Sequence, residues 1–380
     1  MKFIIAPDKF KGSLTGFEFC DAVTEGLQMI FKQAEIVKMP LADGGDGTIE
    51  VVKHYLKGEK ISITVNDPLF RPIEASYVYA AESQIAFIEM AEASGLKLLA
   101  EDEKRVMDTS SFGTGELIVD ALDQGAQKII LGIGGSATND GGMGIASALG
   151  YLFLDANSKP LKPIGRHLNG IRSIDDFKKH PRLQAVKFKI ACDVSNPFYG
   201  DKGAAYIYAE QKGASKDDIN FLDQGLRNFR NVLLDQYNID VQSIDGSGAA
   251  GGIGGGAVVF LNGELTSGID LIKQLANFDQ TIDGADWIIT GEGKLDAQTL
   301  SGKTIDGVVK SAAAKKIPVA ALCGSVDLSL EEQQQMGLTY ATPILKEITN
   351  LQTALEKSYD NLVYAAYNFA NLLKTKSDEP

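Results

Sequence analysis

The sequence predicts an α/β protein, with a doubly wound parallel-sheet domain built from both chain ends and a second, mixed α/β domain inserted between them. Near both ends, short apolar runs alternate with amphipathic helical patterns, which is typical of strand-helix-strand units in parallel sheets. In the middle, short strands instead follow one another through tight turns. The chain of 380 residues also exceeds the size that one hydrophobic core usually reaches, which favours two domains.

The first domain is predicted from residues 1–66 and 283–380, where strands and helices alternate. Thr15 is a suitable N-cap for the first helix, because its hydroxyl can accept a hydrogen bond from a backbone N–H group of the first turn. Apolar residues recur on one face of that helix. The predicted elements are strands at 3–6, 36–39, 287–289, 319–322 and 340–342, and helices that end near residues 32, 56, 316 and 373.

The inserted domain is predicted at residues 67–282 and carries the glycine-rich loop GIGGSATNDGG, which begins at Gly132. A second glycine cluster, GSGAAGGIGGG at 246–256, is interpreted as a place of close helix packing, with phosphate binding as the alternative. The predicted elements around these loops are strands at 61–65, 75–79, 85–89, 128–131 and 188–192, and helices after Gly113 and at 143–149, 217–237 and 257–261.

Composition and charge argue against several classes of function. The net charge of −13 disfavours a nucleic-acid partner, because phosphate backbones need clustered lysine and arginine. The three cysteines are far apart and form neither a metal-binding pattern nor a disulfide framework. No apolar run approaches the roughly 18 residues of a membrane span, and no signal core opens the chain, so we expect a cytoplasmic protein without a membrane partner. Monomer and homo-oligomer both remain open.

Residues 132–144, GIGGSATNDGGMG, follow an apolar strand and lead into a predicted helix. Such a turn can hold an anion, because glycines let the backbone approach closely and the N–H groups at a helix start favour negative charge. Ser136, Asn139 and Asp140 add polar side chains to the turn. The pattern predicts a phosphate or nucleotide site, with a sharp turn and simple helix cap as the alternative.

Polar side chains directly follow most of the predicted strands. In a doubly wound sheet, ligands bind beyond the carboxyl ends of the strands, so these side chains are expected to meet at one edge of each sheet. They are Asp8, Lys11, Asp43, Asp46, Glu292, Asp296 and Ser325 in the first domain, and Ser136, Asn139, Asp140 and Asp193 in the inserted domain. Together they suit phosphoryl transfer, which needs Mg²⁺ on carboxylates and positive charge on phosphates. Each group alone could instead be a turn residue or a helix cap.

Common nucleotide-binding motifs match only in part. Residues 297–304, AQTLSGKT, miss the P-loop at its first glycine and do not begin at the end of a strand. The sequence Gly132-Ile133-Gly134 lacks the third glycine of a dinucleotide fingerprint, and no acidic ribose partner follows at a suitable distance. The motif set of protein kinases is absent. The histidines are isolated, which argues against a histidine-based triad or a zinc site.

Seven segments taken together resemble the glycerate kinase family of two-domain α/β kinases. They follow the family's order across essentially the whole chain, which is far more specific than any single segment. The segments are residues 6–14 (APDKFKGSL), 40–48 (PLADGGDGT), 111–118 (SFGTGELI), 132–144, 191–200 (ACDVSNPFYG), 246–256 and 290–303 (TGEGKLDAQTLSGK). Lys9, Asp46 and Lys294 depart from the pattern, since Ser, Glu and Arg are frequent at these positions. The resemblance implies ATP-dependent phosphorylation of D-glycerate in a cleft between the domains.

The chemistry of the segments suggests roles for individual residues. Lys11 would neutralise the transferring phosphoryl group, and Asp8 or Asp193 would orient the glycerate hydroxyl. The guanidinium fork of Arg71 suits the glycerate carboxylate, although a turn residue is an equally good interpretation. The remaining candidates are Ser111 and Thr114 for glycerate, Gly134, Gly135, Ser136, Asn139 and Asp140 for the ATP phosphates, and Asp43 and Asp46 for Mg²⁺, with Asp193 as a further candidate ligand.

Two other functions stay open on the sequence alone. A nicotinamide-dependent oxidoreductase of doubly wound type is disfavoured by the missing dinucleotide fingerprint. A non-catalytic, hinged protein that binds small acids is disfavoured by the absence of an export signal and by the many carboxylates at strand ends. Within the glycerate kinase interpretation, the sequence does not decide whether the hydroxyl on carbon 2 or on carbon 3 receives the phosphoryl group.

Overall fold

The structure, a computed structural model, describes residues 1–42, 48–296 and 304–377. Asp43 and Asp46 lie outside the described residues, and so do residues 297–303 of the AQTLSGKT segment. Their predicted contributions to a metal or phosphate site therefore stay predictions.

Strands and helices alternate along most of the described chain. The strands are β1 Lys2–Ile5, β2 Glu35–Lys38, β3 Glu59–Asn66, β4 Pro72–Ala80, β5 Ile85–Glu89, β6 Lys128–Gly132, β7 Leu152–Leu154, β8 Ser173–Asp175, β9 Lys187–Ala191, β10 Glu264–Thr266, β11 Trp287–Thr290, β12 Lys294–Leu295, β13 Val319–Cys323, β14 Ser325–Val326 and β15 Tyr340–Pro343. The helices are α1 Gly16–Gln28, α2 Thr48–Leu56, α3 Ala91–Ser94, α4 Phe112–Asp123, α5 Met143–Ala148, α6 Ala204–Tyr208, α7 Lys216–Tyr237, α8 Ala249–Leu261, α9 Gly268–Leu275, α10 Phe278–Thr281, α11 Thr304–Ala314, α12 Leu330–Met336, α13 Leu351–Glu356 and α14 Ser358–Ser377.

The chain divides into two compact units. The first unit comprises Met1–Val51 and Ile269–Pro380, and the second unit comprises Val52–Gly268. The sequence placed these two boundaries later, after residues 66 and 282. They lie earlier because β3 pairs with β4 along its whole length and therefore belongs to the second unit's sheet. At the second boundary, Ile269 packs against Gly307 of α11, so most of α9 belongs to the first unit.

The first unit contains a five-stranded sheet with the strand order β15-β13-β11-β1-β2, and all of its neighbouring strands are parallel. β1 pairs with β11, so the two ends of the chain meet in the sheet, and Ile4 lies opposite Ile288. Helix α1 packs against α14, burying Phe19 of one helix and Phe369 of the other in a shared core. This is the doubly wound domain that the sequence predicts.

Helix α1 begins where the sequence predicts. The Thr15 hydroxyl accepts a hydrogen bond from Glu18 N at 3.1 Å, and the Glu18 carboxylate accepts one from Thr15 N at 2.8 Å. This reciprocal capping box satisfies two N–H groups that the helix itself cannot pair. The helix directs the chain away from the loop that joins it to β1, and that loop carries Asp8 and Lys11.

The second unit contains a six-stranded mixed sheet with the strand order β10-β9-β6-β5-β4-β3. The strands β5, β6, β9 and β10 are parallel, whereas β3, β4 and β5 form an antiparallel meander. This mixture confirms the predicted fold class, because the tight turns of the middle region produce the antiparallel part and the longer connections produce the parallel part. Strand β6 leads directly into the glycine-rich stretch at 132–144.

Several predicted helices differ from the structure in their bounds. Helix α1 ends at Gln28 rather than near Lys32, and the predicted closing helix is divided into α13 and α14 at Lys357. Helix α8 begins earlier than residue 257, but its first turn contains residues 250–252 with positive φ angles of 54°, 72° and 89°. The apolar periodicity did not reveal this kink, because glycines carry no periodic signal. Among the described helices, none is long and apolar enough to cross a membrane.

Candidate active site

The loop after β1 is fastened to the loop after β11 at the carboxyl edge of the first unit's sheet. Ala6 N donates to Ile289 O at 2.8 Å, and the Thr290 hydroxyl donates back to Ala6 O at 2.8 Å. Asp8 N then donates to Gly291 O at 2.9 Å. These bonds continue the β1–β11 pairing beyond the strands, so the side chains that follow both strands share one edge.

Asp8 is half-buried at this edge, and both of its carboxylate oxygens accept hydrogen bonds. Oδ1 accepts from Lys9 N at 2.7 Å, and Oδ2 accepts from the hydroxyl of Thr304, the first residue of α11, at 2.6 Å. These two hydrogen bonds hold the carboxylate in a fixed orientation.

Lys11 lies at the exposed tip of the β1–α1 loop. The loop is closed by a pair of backbone hydrogen bonds between Phe10 and Leu14, and Gly12 adopts a positive φ of 76° at the turn. A Cβ placed on Gly293 would lie 3.6 Å from Lys11 N, so the loops after β1 and β11 are adjacent. Lys11 has no ion pair with any residue that the structure describes, so its charge is available to an anion.

The segment after β11 turns back along the loop after β13. Gly324 N donates to Glu292 O at 3.1 Å and Ser325 N to Gly293 O at 3.1 Å, and β12 pairs in parallel with β14. Lys294 is exposed and forms ion pairs with Asp327 at 3.1 Å and with Asp296 at 3.5 Å. The hydrogen bond from Lys294 to Asp327 raises the pKa of the lysine ammonium.

These loops border one cavity of about 520 Å³ in the first unit. Of the strand-end residues that the sequence grouped together, Asp8, Lys11, Glu292, Asp296 and Ser325 all line it. The volume lies within the range of about 300–1,000 Å³ that is typical of small-molecule sites. The described part of this edge thus combines carboxylates with Lys11, which has no ion pair with any described residue.

In the second unit, the glycine-rich stretch leaves β6 and passes over α3. Gly134 and Gly135 are exposed, and Gly135 has a positive φ of 71°. Gly135 O accepts from Leu96 N at 2.8 Å, and Ala137 N donates to Ser94 O at 2.9 Å. The turn is therefore held from both sides by the segment that follows β5.

Asp140 is fully buried and occupies the N-terminus of α5. Its carboxylate accepts hydrogen bonds from Gly142 N at 3.2 Å, Gly144 N at 3.1 Å, Ser111 N at 2.8 Å and the Ser111 hydroxyl at 2.8 Å. Met143 N donates to Asp140 O, and Ile145 N donates to the Ser111 hydroxyl. Burial raises the pKa of the Asp140 carboxyl, and these hydrogen bonds oppose that rise.

The first backbone N–H groups of α5 are thus already paired within the protein. The sequence assigned this helix start and Asp140 to the phosphates of ATP, on the argument that such N–H groups favour an anion. In the structure, the anion at this position is the Asp140 carboxylate itself. The predicted phosphate role of Gly134, Gly135, Ser136, Asn139 and Asp140 stays a prediction, and it now depends mainly on the two exposed glycines.

Lys212 is a buried residue of this region that the sequence analysis missed. Its ammonium donates to the Ser136 hydroxyl and to Thr138 O, both at 2.7 Å. Burial lowers the pKa of the ammonium to about 7, and the nearby Asp140 carboxylate opposes part of that shift. Lys212 lies in a polar stretch, AEQKGASK, so no sequence signal distinguishes it from a surface lysine.

Asn139 is completely buried between the two glycine-rich segments. Neither its Oδ1 nor its Nδ2 has a hydrogen-bond partner among the described residues, and the same holds for Thr138 Oγ1 and Ser247 Oγ. Such unpaired buried groups are rare and each one calls for a partner. All three residues are completely buried, whereas Gly134 and Gly135 are exposed.

The second glycine cluster packs directly against the first. A Cβ on Gly251 would lie 2.1 Å from Thr138 O, and a Cβ on Gly256 would lie 2.2 Å from Gly141 O. Gly141 N also donates to Gly251 O at 3.0 Å. The close-packing interpretation of the 246–256 cluster therefore explains its glycines, because any larger residue would collide with the neighbouring backbone.

The hydroxyls predicted to bind glycerate already have protein partners. The Ser111 hydroxyl contacts Asp140, and the Thr114 hydroxyl donates to Ser94 Oγ at 2.7 Å. Both residues are fully buried at the start of α4. Their assignment to glycerate stays a prediction that no described contact supports.

Arg71 also has protein partners. Its Nε lies 2.6 Å from Asp67 Oδ2, and its NH1 lies 2.5 Å from Glu103 Oε1. The hydrogen bonds to Glu103 and Asp67 raise the pKa of the guanidinium and keep it charged. Because these two carboxylates already occupy the guanidinium fork, the structure weakens the prediction that Arg71 binds the carboxylate of glycerate.

Asp193 is exposed in the loop after β9, at the carboxyl edge of the second unit's sheet. Its Oδ1 accepts from Gly268 N, at the start of α9, at 2.8 Å. The carboxylate is oriented by this bond and remains accessible. This bond to a distant helix start is not a local turn contact, and the catalytic role of Asp193 stays a prediction.

No group of three or more histidine, cysteine, aspartate or glutamate side chains suited to a metal ion occurs among residues 1–42, 48–296 and 304–377. The predicted Mg²⁺ ligands, Asp43 and Asp46, lie outside those ranges. Asp8, a described strand-end carboxylate of the first unit, already has hydrogen bonds on both oxygens.

Comparison with known proteins identifies the family. The sequence model of the "Glycerate kinase family" matches residues 3–374. A glycerate kinase of Halalkalibacterium halodurans is 42% identical, covering 97% of both chains, and the glycerate 2-kinase of Escherichia coli is 40% identical, covering 98% of both. The crystal structure of a putative glycerate kinase 2 from Salmonella typhimurium superposes over 100% of both chains with a TM-score of 0.91 at 37% identity. This chain therefore belongs to the glycerate kinase family.

Proposed function

We propose that this enzyme transfers the γ-phosphoryl group of ATP to the 2-hydroxyl of D-glycerate, giving ADP and 2-phosphoglycerate. The family membership supports glycerate as the phosphoryl acceptor. The printed name of the Escherichia coli relative, a glycerate 2-kinase, supports carbon 2 as the position. The nicotinamide-dependent and non-catalytic alternatives have no support from any of these relatives.

The proposal rests on the observation that Asp8 and Lys11 line the same cavity. Phosphoryl transfer needs little covalent chemistry from the protein, because positioning and charge stabilisation supply most of the catalysis. Lys11 offers a positive charge that no described side chain neutralises, and Asp8 offers a carboxylate with a fixed orientation. These are the two kinds of group that the reaction requires.

In the proposed reaction, the glycerate hydroxyl oxygen forms a bond to the γ-phosphorus while the bond between that phosphorus and the β–γ bridging oxygen breaks. Asp8 or Asp193 orients the hydroxyl and accepts its proton, and Lys11 stabilises the negative charge of the transferring group. ADP leaves with the bridging oxygen. The predicted location of this reaction, a cleft between the two domains, stays a prediction.

Mg²⁺ is expected to accompany ATP, because carboxylate-bound Mg²⁺ neutralises phosphate oxygens in this class of reaction. Asp43 and Asp46 remain the proposed ligands on the strength of their sequence position after β2. Removal of divalent cations with EDTA should abolish turnover, and added Mg²⁺ should restore it. Full turnover in EDTA would exclude the metal from the reaction.

The proposed function is tested by measuring ADP release from ATP and Mg²⁺ with and without D-glycerate. We expect ADP only when glycerate is present, and a fall in kcat of about a hundredfold or more for Lys11→Met, since a charge aimed at the transition state is lost. Lys310→Met is the matched control, because Lys310 is exposed on α11, pairs with Asp306 and does not line the cavity. Absence of glycerate-dependent ADP from the folded wild-type enzyme would refute the function.

A further inference from the structure

The cavity of the first unit has a lining of two chemical kinds. One part is polar and comes from the loops after β1, β11 and β13, with Asp8, Lys11 and Glu292 among its side chains. The other part is apolar and comes from the end of β15 and from α13, with Leu345, Leu351 and Leu355. A ligand that fills this cavity must therefore have one polar and one apolar portion.

The two parts are joined by a hydrogen bond. The hydroxyl of Ser13, in the loop that carries Lys11, donates to Leu355 O at the end of α13 at 3.0 Å. Ile344 N also donates to Cys323 O at 2.8 Å, which holds the segment after β15 against β13. The apolar part is thus fixed relative to the polar part before any ligand arrives.

The apolar part is unusually exposed for leucine and isoleucine side chains. Leu351 is 75% exposed and Leu345 is 44% exposed, and both line the cavity. Clustered exposed apolar side chains around a concave surface mark ligand-binding or interaction sites. Covering them with a flat apolar group would remove this surface from water, with a gain of roughly 25 cal/mol for each Å² buried.

The two substrates of the proposed reaction differ in how they fit this lining. Glycerate is a small, fully polar acid, so it would leave most of a cavity of about 520 Å³ empty and would make no use of the leucines. In a purine nucleoside triphosphate, the flat base can pack on an apolar surface, the ribose hydroxyls can donate hydrogen bonds to carboxylates, and the phosphates can bind a lysine. Its size also suits the volume better.

The alternative position for the nucleotide is the glycine-rich stretch of the second unit. There the backbone N–H groups at the start of α5 already donate to Asp140 and to the Ser111 hydroxyl. The phosphates would find only the exposed Gly134 and Gly135, without an apolar surface of this kind described beside them. The cavity of the first unit offers both an apolar surface for the base and a positive charge for the phosphates.

We propose that the cavity of the first unit binds the adenine nucleotide, with the base against Leu345, Leu351 and Leu355 and the phosphates towards Lys11. The proposal rests on the proposed function, because it assigns one of that reaction's two substrates to a site. Glu292 and Asp8 lie on the same lining and can accept hydrogen bonds from the ribose or the substrate hydroxyl.

The test is the affinity for ATP and for adenosine, measured by calorimetry without glycerate. Leu351→Asp should weaken both ligands at least about tenfold, because a charged carboxylate replaces the apolar contact with the base. The matched control is Leu330→Asp. Leu330 is also the first residue of a short helix in the first unit and is 78% exposed, but it does not line the cavity. Its substitution should leave both affinities within twofold of the wild type.

Lys11→Met should weaken ATP at least about tenfold and leave adenosine unchanged, because only the phosphates lose a partner. Unchanged ATP affinity in Leu351→Asp would overturn the proposal. So would an effect of that variant on the KM for glycerate alone, since the cavity would then hold the acid. These binding data are independent of turnover, so an enzyme that binds ATP here without glycerate-dependent ADP release would refute the proposed function and leave the nucleotide site standing.

Discussion

From the burial of Lys212 we predict how the stability of the protein depends on pH. The ammonium is enclosed by Ser136, Thr138 and Asp140, and burial lowers its pKa from 10.5 to about 7. In the unfolded chain, the side chain keeps its ordinary pKa. Between these two values, the unfolded state therefore binds more protons than the folded state, and stability must rise with pH.

The size of the effect follows from the shift. One pKa unit corresponds to about 1.4 kcal/mol, and a group that is half titrated at pH 7 contributes about 2 kcal/mol more stability at pH 9 than at pH 7. In Lys212→Met, no titratable group remains at this position. The difference in unfolding free energy between wild type and variant should therefore shift by about 2 kcal/mol in favour of the wild type over this interval.

The assay is urea-induced unfolding of both proteins at pH 7 and pH 9, followed by circular dichroism. The comparison between proteins removes the contribution of all other titrating groups that the two share. Lys310→Met is the control, because that lysine is exposed and its loss should leave the pH dependence unchanged. A wild-type-minus-variant difference that is the same at both pH values would refute the buried-ammonium argument.

Three further predictions concern other parts of the structure. Gly256→Ala should lower the unfolding free energy by about 1–3 kcal/mol, because the new Cβ would lie 2.2 Å from Gly141 O. The control is Gly170→Ala, whose Cβ would have its nearest contact at 3.5 Å and which should change the unfolding free energy by less than about 0.5 kcal/mol. Arg71→Lys should leave the KM for glycerate within about twofold, because Asp67 and Glu103 already occupy the guanidinium; a tenfold rise would restore Arg71 as a substrate ligand. Asp193→Asn retains the acceptor for Gly268 N but loses the charge, so a fall in kcat of about a hundredfold without loss of stability would identify the base, and full activity would exclude it.

The loops at the carboxyl edge of the first sheet are predictable from the sequence. Short apolar runs at both chain ends predict parallel strands, and a parallel sheet brings the residues after each strand to one edge. Asp8, Lys11 and Glu292 therefore line one cavity although they come from distant parts of the chain. The apolar part of that cavity was not predictable, because the break between α13 and α14 leaves no mark in a continuous apolar periodicity.

The environment of the glycine-rich stretch could be predicted only in part from the sequence. A strand, a glycine turn and a helix start predict an anion at the helix N-terminus, and the structure has one there, the Asp140 carboxylate. The bonds from Gly142 N and Gly144 N to Asp140 are local, as the helix-cap alternative implies, whereas those from Ser111 reach Asp140 only through the tertiary fold. Lys212 is a similar case, since its burial results from packing against Thr138 and Ser136.

The most direct test of the account is a ³¹P NMR spectrum of the enzyme incubated with ATP, Mg²⁺ and D-glycerate. We predict the resonances of ADP and one new phosphomonoester, split into a doublet by the single proton on carbon 2. A triplet would place the phosphoryl group on carbon 3 and contradict the proposed product. A spectrum with unchanged ATP, or with ADP and inorganic phosphate alone, would contradict glycerate phosphorylation itself.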